Sequence, residues 1–247
     1  MKIGRPFLLA AGILAVWQLL VLLTGVPAYI LPGPWPVASA LISHLPTLAG
    51  HLATTAMEIL LGLLLGTLLG SSCALTMIAS PLLKRWILPL LVISQALPVF
   101  ALAPVLVLWF GYGMASKIAM AVLIIFFPVT SSFYYGMQRT EPELLELASI
   151  MGARPIAVLR SIIIPSALPA FAAGVRMAAA VAPIGAVVGE WVGSSSGLGF
   201  YMLHANARMQ IDLMFAALVL LAVFSLSLDA VVDRLLAKLI FWEPRKG

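Results

Sequence analysis

Five ionisable side chains fall within or beside the long apolar stretches of this chain: Glu58, Arg176, Glu190, Asp229 and Asp233. Charge near the centre of a bilayer costs at least about 2.5 kcal/mol, so such groups either serve a function or lie near an interface. Arg176 has a stem long enough to carry its guanidinium towards the surface, and Glu190, near the far end of the same stretch, either does the same or lines a pathway. Catalytic chemistry has little to work with. His44, His51 and His204 have no Cys or carboxylate set at ligand spacing around them, so no metal site is expected. GxSxG, HExxH and a convincing acid/base pair are absent, and so is GxxxxGK[ST], which excludes ATP binding through a P-loop. The chain is expected to be neither an enzyme nor a holder of its own cofactor.

A second polar feature is "ELASIMGARPIAVLRSIIIP", residues 146–165, which interrupts the apolar pattern with Glu146, Arg154, Arg160, Gly152, Pro155 and Pro165. Within it, Glu141 to Met151 reads as a short helix, because Leu144, Leu147, Ala148 and Met151 fall at i, i+3, i+4 and i+7. Glu141, Glu143 and Glu146 lie towards its N-terminal part, where the helix dipole favours negative charge. Gly152 is placed to end it in the left-handed conformation and Pro155 to open a second helix, which Pro165 and Pro169 are expected to close. A helix of about ten residues is marginal alone in water and must dock on something. Its own membrane domain and a soluble partner are both open as that surface.

The elements around these groups follow from composition. Of 247 residues, 63% are hydrophobic and only 9% charged, where a soluble domain runs near a quarter charged. Runs of about 20 apolar residues, long enough to cross the hydrocarbon core, recur throughout. Six spans are predicted: Pro6 to Thr24, Thr55 to Ala79, Trp86 to Phe110, Lys117 to Met137, Leu168 to Val192 and Leu213 to Val232. The first is too long for a typical signal-peptide core and is read as retained. The fold class is therefore an all-α membrane protein, one domain over residues 1–247, surrounded by membrane lipid.

Charge placement orients these spans. With both termini in the cytoplasm, Lys2, Arg5, Lys84, Arg85, Arg139, Arg154, Arg160, Arg234, Lys238, Arg245 and Lys246 lie inside, and Lys117 and Arg208 lie outside. The net charge of +5 thus reads as a topology signal, since no basic run of five or more points to nucleic acid. The 146–165 stretch is placed on the cytoplasmic face, in a loop over about 138–168. Between the first two spans, Pro32, Pro34 and Pro36 forbid a continuous helix, while Val37 to Leu45 suits a short amphipathic one at the outer interface. Cys73, alone, forms no intrachain disulfide and reads as a small buried hydrophobe.

Two features inside the spans bear on packing and passage. Gly62, Gly66 and Gly70 recur at four-residue spacing, as do Gly185, Gly189 and Gly193; both stripes suit close helix packing, and a lining that slides against a partner is the alternative. The third span carries Pro89, Pro98 and Pro104 around Gln95. Backbone carbonyls freed by interior prolines at membrane depth must face protein or a watery cavity, so this span is expected to border a pathway, with packing kinks as the alternative.

The spacing Glu146, Leu147, Ala148, three residues, Gly152, nine residues, Ile162, one residue, Ile164, Pro165 resembles the cytoplasmic "EAA" loop of the transmembrane subunits of bacterial ABC importers, E-A-A-x3-G-x9-I-x-L-P. Leu147 and Ile164 depart from that pattern conservatively. "QALPVFALAPVLVLWFGYGMASK" (95–117), "FFPVT" (126–130) and "GAVVGEWVGSSSGLGF" (185–200) are similar to permeases of the nitrate, sulfonate, taurine and thiamine-precursor group, which have a methionine-importer-like fold. The "WFGYG" and "GEWVG" forms look most like permeases for pyrimidine precursors of thiamine. The resemblance implies a bacterial inner-membrane permease working as a homodimer with two cytoplasmic ATPases, which bind ATP and Mg, and a periplasmic solute-binding protein. It implies that Glu146, Leu147, Ala148, Gly152, Ala153, Arg154 and Pro155 meet the ATPase, and that the third and fifth spans, with Gln95, Pro98, Gly185, Gly189 and Glu190, line the pathway. The other class of reading is a secondary transporter driven by an ion gradient, disfavoured by the lack of a visible repeat and by the scarcity of acids within the spans.

Overall fold

The computed structural model describes residues 4–242, with side chains from Leu8 onwards except those of Gln95 and Ala96. Lys2, Arg245 and Lys246, three of the basic residues placed on the inner side, and the side chain of Arg5 lie outside the described residues. Eleven α-helices follow in order, with no strand among the described residues: α1 (Gly4–Thr24), α2 (Pro34–Ser43), α3 (Leu45–Ala79), α4 (Pro81–Ala96), α5 (Val99–Phe110), α6 (Met114–Gln138), α7 (Pro142–Ile150), α8 (Pro155–Val158), α9 (Ile164–Gly193), α10 (Leu198–Ala207) and α11 (Ile211–Leu239). Among the described residues, four unbroken helical stretches are long and apolar enough to cross a membrane: α3, α6, Pro155–Gly193 and α11. The remaining two expected spans differ in form: α1 is apolar over the shorter stretch Leu8–Thr24, and the third is a broken pair.

That break corrects the expectation of one kinked helix over Trp86 to Phe110. Pro81–Ser94 and Val99–Phe110 meet at 106°. Leu97, which precedes Pro98, is extended at φ −81° and ψ 125°, the region that proline imposes on its predecessor, and Pro98 caps α5. Prolines elsewhere are absorbed. Pro34 and Pro36 lie in the first turn of α2, where the N–H groups have no helical partner anyway, so that helix starts before the expected Val37. Pro165 and Pro169 do not end the helix that Pro155 opens. A π-helical turn over Leu159–Ile163 carries α8 into α9, and in such a turn the carbonyls bond five residues on, so the missing N–H of Pro165 leaves the chain continuous. α3 likewise starts at Leu45, ten residues before the expected Thr55, because Pro46 sits harmlessly in its first turn.

α6 runs between α3 and α9 and forms the centre of the bundle. Its small and branched residues Ala121, Ile125 and Val129 pack with Ile59 of α3 and with Ala172, Ala178, Ala182 and Ala186 of α9. The glycine stripe of α3 is what lets the two axes approach. A Cβ on Gly62 would stand 2.5 Å from the Ala121 methyl, one on Gly66 2.6 Å from Ile125 Cγ2, and one on Gly70 3.0 Å from Thr130 Oγ1. Gly66→Leu is therefore expected to force the helices apart at about 1–3 kcal/mol of overpacking strain, read as a lower thermal midpoint and a lower yield of intact protein in detergent.

Candidate functional site

Two arrangements stand out: a helical tip built from α7 and α8, and a buried polar cluster joining α3, α6, α9 and α10. The tip begins with Pro142 at the first position of α7 and ends where Gly152 turns left-handed at φ +66°. Ala153 N–H then reaches the Ala148 carbonyl at 2.9 Å and Gly152 N–H the Ser149 carbonyl at 3.0 Å, closing the last turn with both bonds of a Schellman motif. Ala148 is buried beneath the turn, whereas Glu146, Leu147, Gly152, Ala153, Arg154 and Pro155 are exposed. Ile150 and Met151 stand 85% and 76% exposed beside the glycine. Large apolar side chains at the apex of a turn, ringed by Glu146 and Arg154, make a surface suited to docking into a partner rather than facing water.

The polar cluster is almost wholly out of solvent. Glu190 of α9 is 1% exposed and Glu58 of α3 is fully buried. Glu190 faces the start of α10: its Oε2 accepts from the N–H groups of Gly199 and, at 3.4 Å, Phe200, and its Oε1 accepts from Thr55 Oγ1 at 2.6 Å. Thr55 Oγ1 accepts in turn from Leu198 N–H at 2.8 Å, and His51 Nδ1 accepts from Gly197 N–H at 3.1 Å. All four backbone donors that open α10 are thus satisfied by side chains of other helices, in the place of an ordinary local cap. His51, Thr55 and Glu58 lie at i, i+4 and i+7, one face of α3. From α6, Lys117 comes to 3.7 Å from Glu58 Oε1, its own side chain 6% exposed. Gly197 is fixed by this arrangement: its φ is +107°, and a Cβ there would collide with the Glu190 carboxyl.

These positions revise several expectations. Glu190, expected at an interface or along a pathway, is buried and anchors α10, and Lys117, expected on the outer side of the membrane, has a buried side chain. Gly185 and Gly189 face α6, not an open channel; a Cβ on them would stand 2.9 Å from Ala121 Cα and 3.2 Å from Lys117 Cα. Pro98 is exposed at the α4–α5 break, and the Gln95 side chain lies outside the described residues. Arg176 does not snorkel alone: its Nε donates to Asp233 Oδ1 of α11 at 2.8 Å, both side chains half exposed. Sequence reasoning missed His51, Thr55 and Lys117. The i, i+4, i+7 spacing from His51 to Glu58 was the visible signal.

Residues 59–240 match the family model described as binding-protein-dependent transport system inner membrane component. A probable ABC transporter permease of Haemophilus influenzae is 52% identical over 97% of this chain and 98% of its own length. The formylaminopyrimidine transport permease ThiX of Halalkalibacterium halodurans is 35% identical over 98% and 97%. Other relatives carry the names of riboflavin, aliphatic sulfonate and taurine transport permeases. Among solved structures, an inward-facing form of the MetNI methionine ABC transporter aligns with a TM-score of 0.62 at 20% identity, covering 78% of this chain and 94% of that one, which is a likeness of fold. With the family pattern running along most of its length and relatives matching it nearly end to end, the chain belongs to the inner membrane components of binding-protein-dependent transport systems, as a non-enzymatic permease subunit of an ABC importer.

Proposed function

We propose that two copies of this chain form the translocation pathway of an importer whose ATPases grip the α7–α8 tip and whose solute, brought by a periplasmic binding protein, is a pyrimidine precursor of thiamine. The tip carries the reading. It projects exposed Ile150 and Met151 on the side where Lys84, Arg85, Arg139, Arg154 and Arg160 gather, the cytoplasmic side by the positive-inside bias. Six crossings, counting α1 and treating α4 with α5 as one, put both termini on that side. The Schellman turn at Gly152 fixes the angle between α7 and α8, and the unbroken passage from Pro155 to Gly193 gives a push on the tip a direct route into a membrane span. Glu146 and Arg154 supply the polar rim of the contact, with Leu147, Ala153 and Pro155 beside them.

The pyrimidine assignment is supported by the ThiX relative and by the "WFGYG" and "GEWVG" forms; aliphatic sulfonate, taurine or nitrate would use the same machinery. The test is capture of the ATPase and binding protein with the full-length chain, then titration of that binding protein. Binding of a formylaminopyrimidine with methanesulfonate, taurine and nitrate inert is the expected result; the reverse pattern reassigns the solute and leaves the tip untouched.

A further inference from the structure

The helix that starts at Pro155 runs unbroken from the α7–α8 tip to Gly193, so α10 lies at the opposite end of the bundle. There, α10 and the second turn of α3 border a cavity of about 240 Å³. His51 of α3, Phe200, Tyr201 and His204 of α10, and Arg208 and Gln210 of the turn into α11 line it. Its walls are aromatic: the His51 ring lies 5.0 Å from that of Tyr201 and 6.1 Å from that of Phe200, and Phe200 lies 4.0 Å from His204. His204, Arg208 and Gln210 are exposed, which leaves the cavity open to the aqueous side. The turn that carries Arg208 and Gln210 is a forced one. Met209 holds a left-handed φ of +59°, an unfavourable region for a side chain with a Cβ, while Met209 N–H reaches the Asn206 carbonyl and Gln210 N–H the Ala205 carbonyl.

The two imidazoles are fixed as opposite tautomers by the backbone around them. His51 Nδ1 accepts the Gly197 N–H at 3.1 Å, so its proton is on Nε2. His204 Nδ1 lies 3.0 Å from the Phe200 carbonyl, which can only accept, so the neutral ring carries its proton on Nδ1 and a lone pair on Nε2. One ring thus offers a donor and the other an acceptor. Neither Nε2 meets a protein partner among the described residues, and neither do the Arg208 guanidinium and the Gln210 amide. This lining selects its ligand. Aromatic walls suit a planar π face, and a donor beside an acceptor, with Gln210 supplying one of each, suits a ring that bears both. A small anion would use Arg208 and His51 but would set its oxygens against the His204 lone pair and leave the aromatic faces empty. A metal ion would find one free imidazole lone pair beside a guanidinium, and no group of three or more His, Cys, Asp and Glu able to hold one occurs among the described residues. The space admits a single small ring, since sites for larger ligands run to about 300–1,000 Å³.

We infer that this cavity is a receiving site for solute on the permease itself, taking one small planar nitrogen heterocycle stacked among the aromatic rings and read by His51, His204 and Gln210. The identity of that ring rests on the pyrimidine reading above. A permease so built checks its cargo a second time, after the binding protein has let it go. The experiment is a saturation-transfer NMR titration of the full-length chain with its ATPase in lipid nanodiscs, without the binding protein, using formylaminopyrimidine and taurine as separate probes. Transfer to the pyrimidine ring proton and none to taurine is expected in the wild type. His204→Phe, which keeps the stack on Phe200 and deletes the acceptor, and Gln210→Ala should each raise the apparent Kd about threefold or more. Both side chains are exposed, so neither change removes a buried contact. No transfer in the wild type, transfer to taurine in place of the pyrimidine, or an unchanged Kd in both variants overturns the site. Titration of the isolated binding protein with the same probes separates the two readings. A binding protein that takes the pyrimidine beside a permease that does not sinks the site alone; the reverse pair of results upholds the site and sinks the assignment of the delivered solute.

Discussion

Gly152→Val is expected to lower ATP-driven uptake about tenfold or more while the chain still inserts, packs and assembles. Gly152 sits at φ +66°, where a β-branched residue is a genuine outlier costing about 1–3 kcal/mol. Relieving that strain means abandoning the left-handed turn, and with it the bonds from Ala153 N–H to Ala148 and from Gly152 N–H to Ser149. No buried contact of the bundle depends on this position, since nothing stands within 4 Å of a Cβ there. The damage is thus confined to the angle at which α7 and α8 present Ile150 and Met151. ATP hydrolysis by the partner should continue, uncoupled from transport. Gly152→Ala, with a smaller Cβ penalty, should fall between. Wild-type uptake in Gly152→Val would remove the tip from the coupling route.

Glu190→Ala has the larger expected effect on the fold itself. It removes the acceptor of Gly199 and Phe200 N–H and the partner of Thr55, leaving those donors buried without a partner. Breaking a buried, hydrogen-bonded charge network by deleting one member costs about 3–5 kcal/mol. The first consequence is a weakened hold on α10, whose Gly199 and Phe200 N–H groups lose their acceptor while His51 and Thr55 keep those of Gly197 and Leu198. A fall in thermal midpoint, together with protease access around Ser194 to Phe200, is the expected signature. Glu190→Gln, which keeps one acceptor oxygen, should recover part of the loss. An unchanged midpoint in the Ala variant would mean that the socket contributes nothing to holding α10.

How far the sequence discloses this molecule depends on whether a feature is local. The turn at Gly152 is written in one continuous stretch, Glu141 to Pro155: an amphipathic helix, a glycine able to adopt positive φ, then Arg154 and Pro155 to restart. The close approach of α3 was legible too, because three glycines at four-residue spacing have few other uses in an apolar helix. The break at Pro98 was half visible. Three interior prolines announce a disturbed helix, but whether the chain kinks or turns through 106° depends on what Leu97 and α6 allow around it. Pro165 misled for the converse reason: a π-helical turn upstream, invisible in composition, accommodates it. The polar cluster was least legible. Glu58 and Lys117 are 59 residues apart in sequence and Thr55 and Glu190 135 apart, so only tertiary packing brings them together. Read alone, Lys117 was simply a basic residue at the edge of a span, and Glu190 simply an acid near an end.

The central claim, that this permease moves its solute only when an ATPase works on the α7–α8 tip, is tested most directly by reconstitution. Proteoliposomes would contain the full-length chain with its ATPase, and the solute-loaded binding protein would be added on the face opposite the tip. Uptake that requires ATP on the tip side, and that stops when the ATPase is omitted, is the predicted result. Uptake by the chain alone under an imposed proton or sodium gradient, without ATP or ATPase, would contradict it.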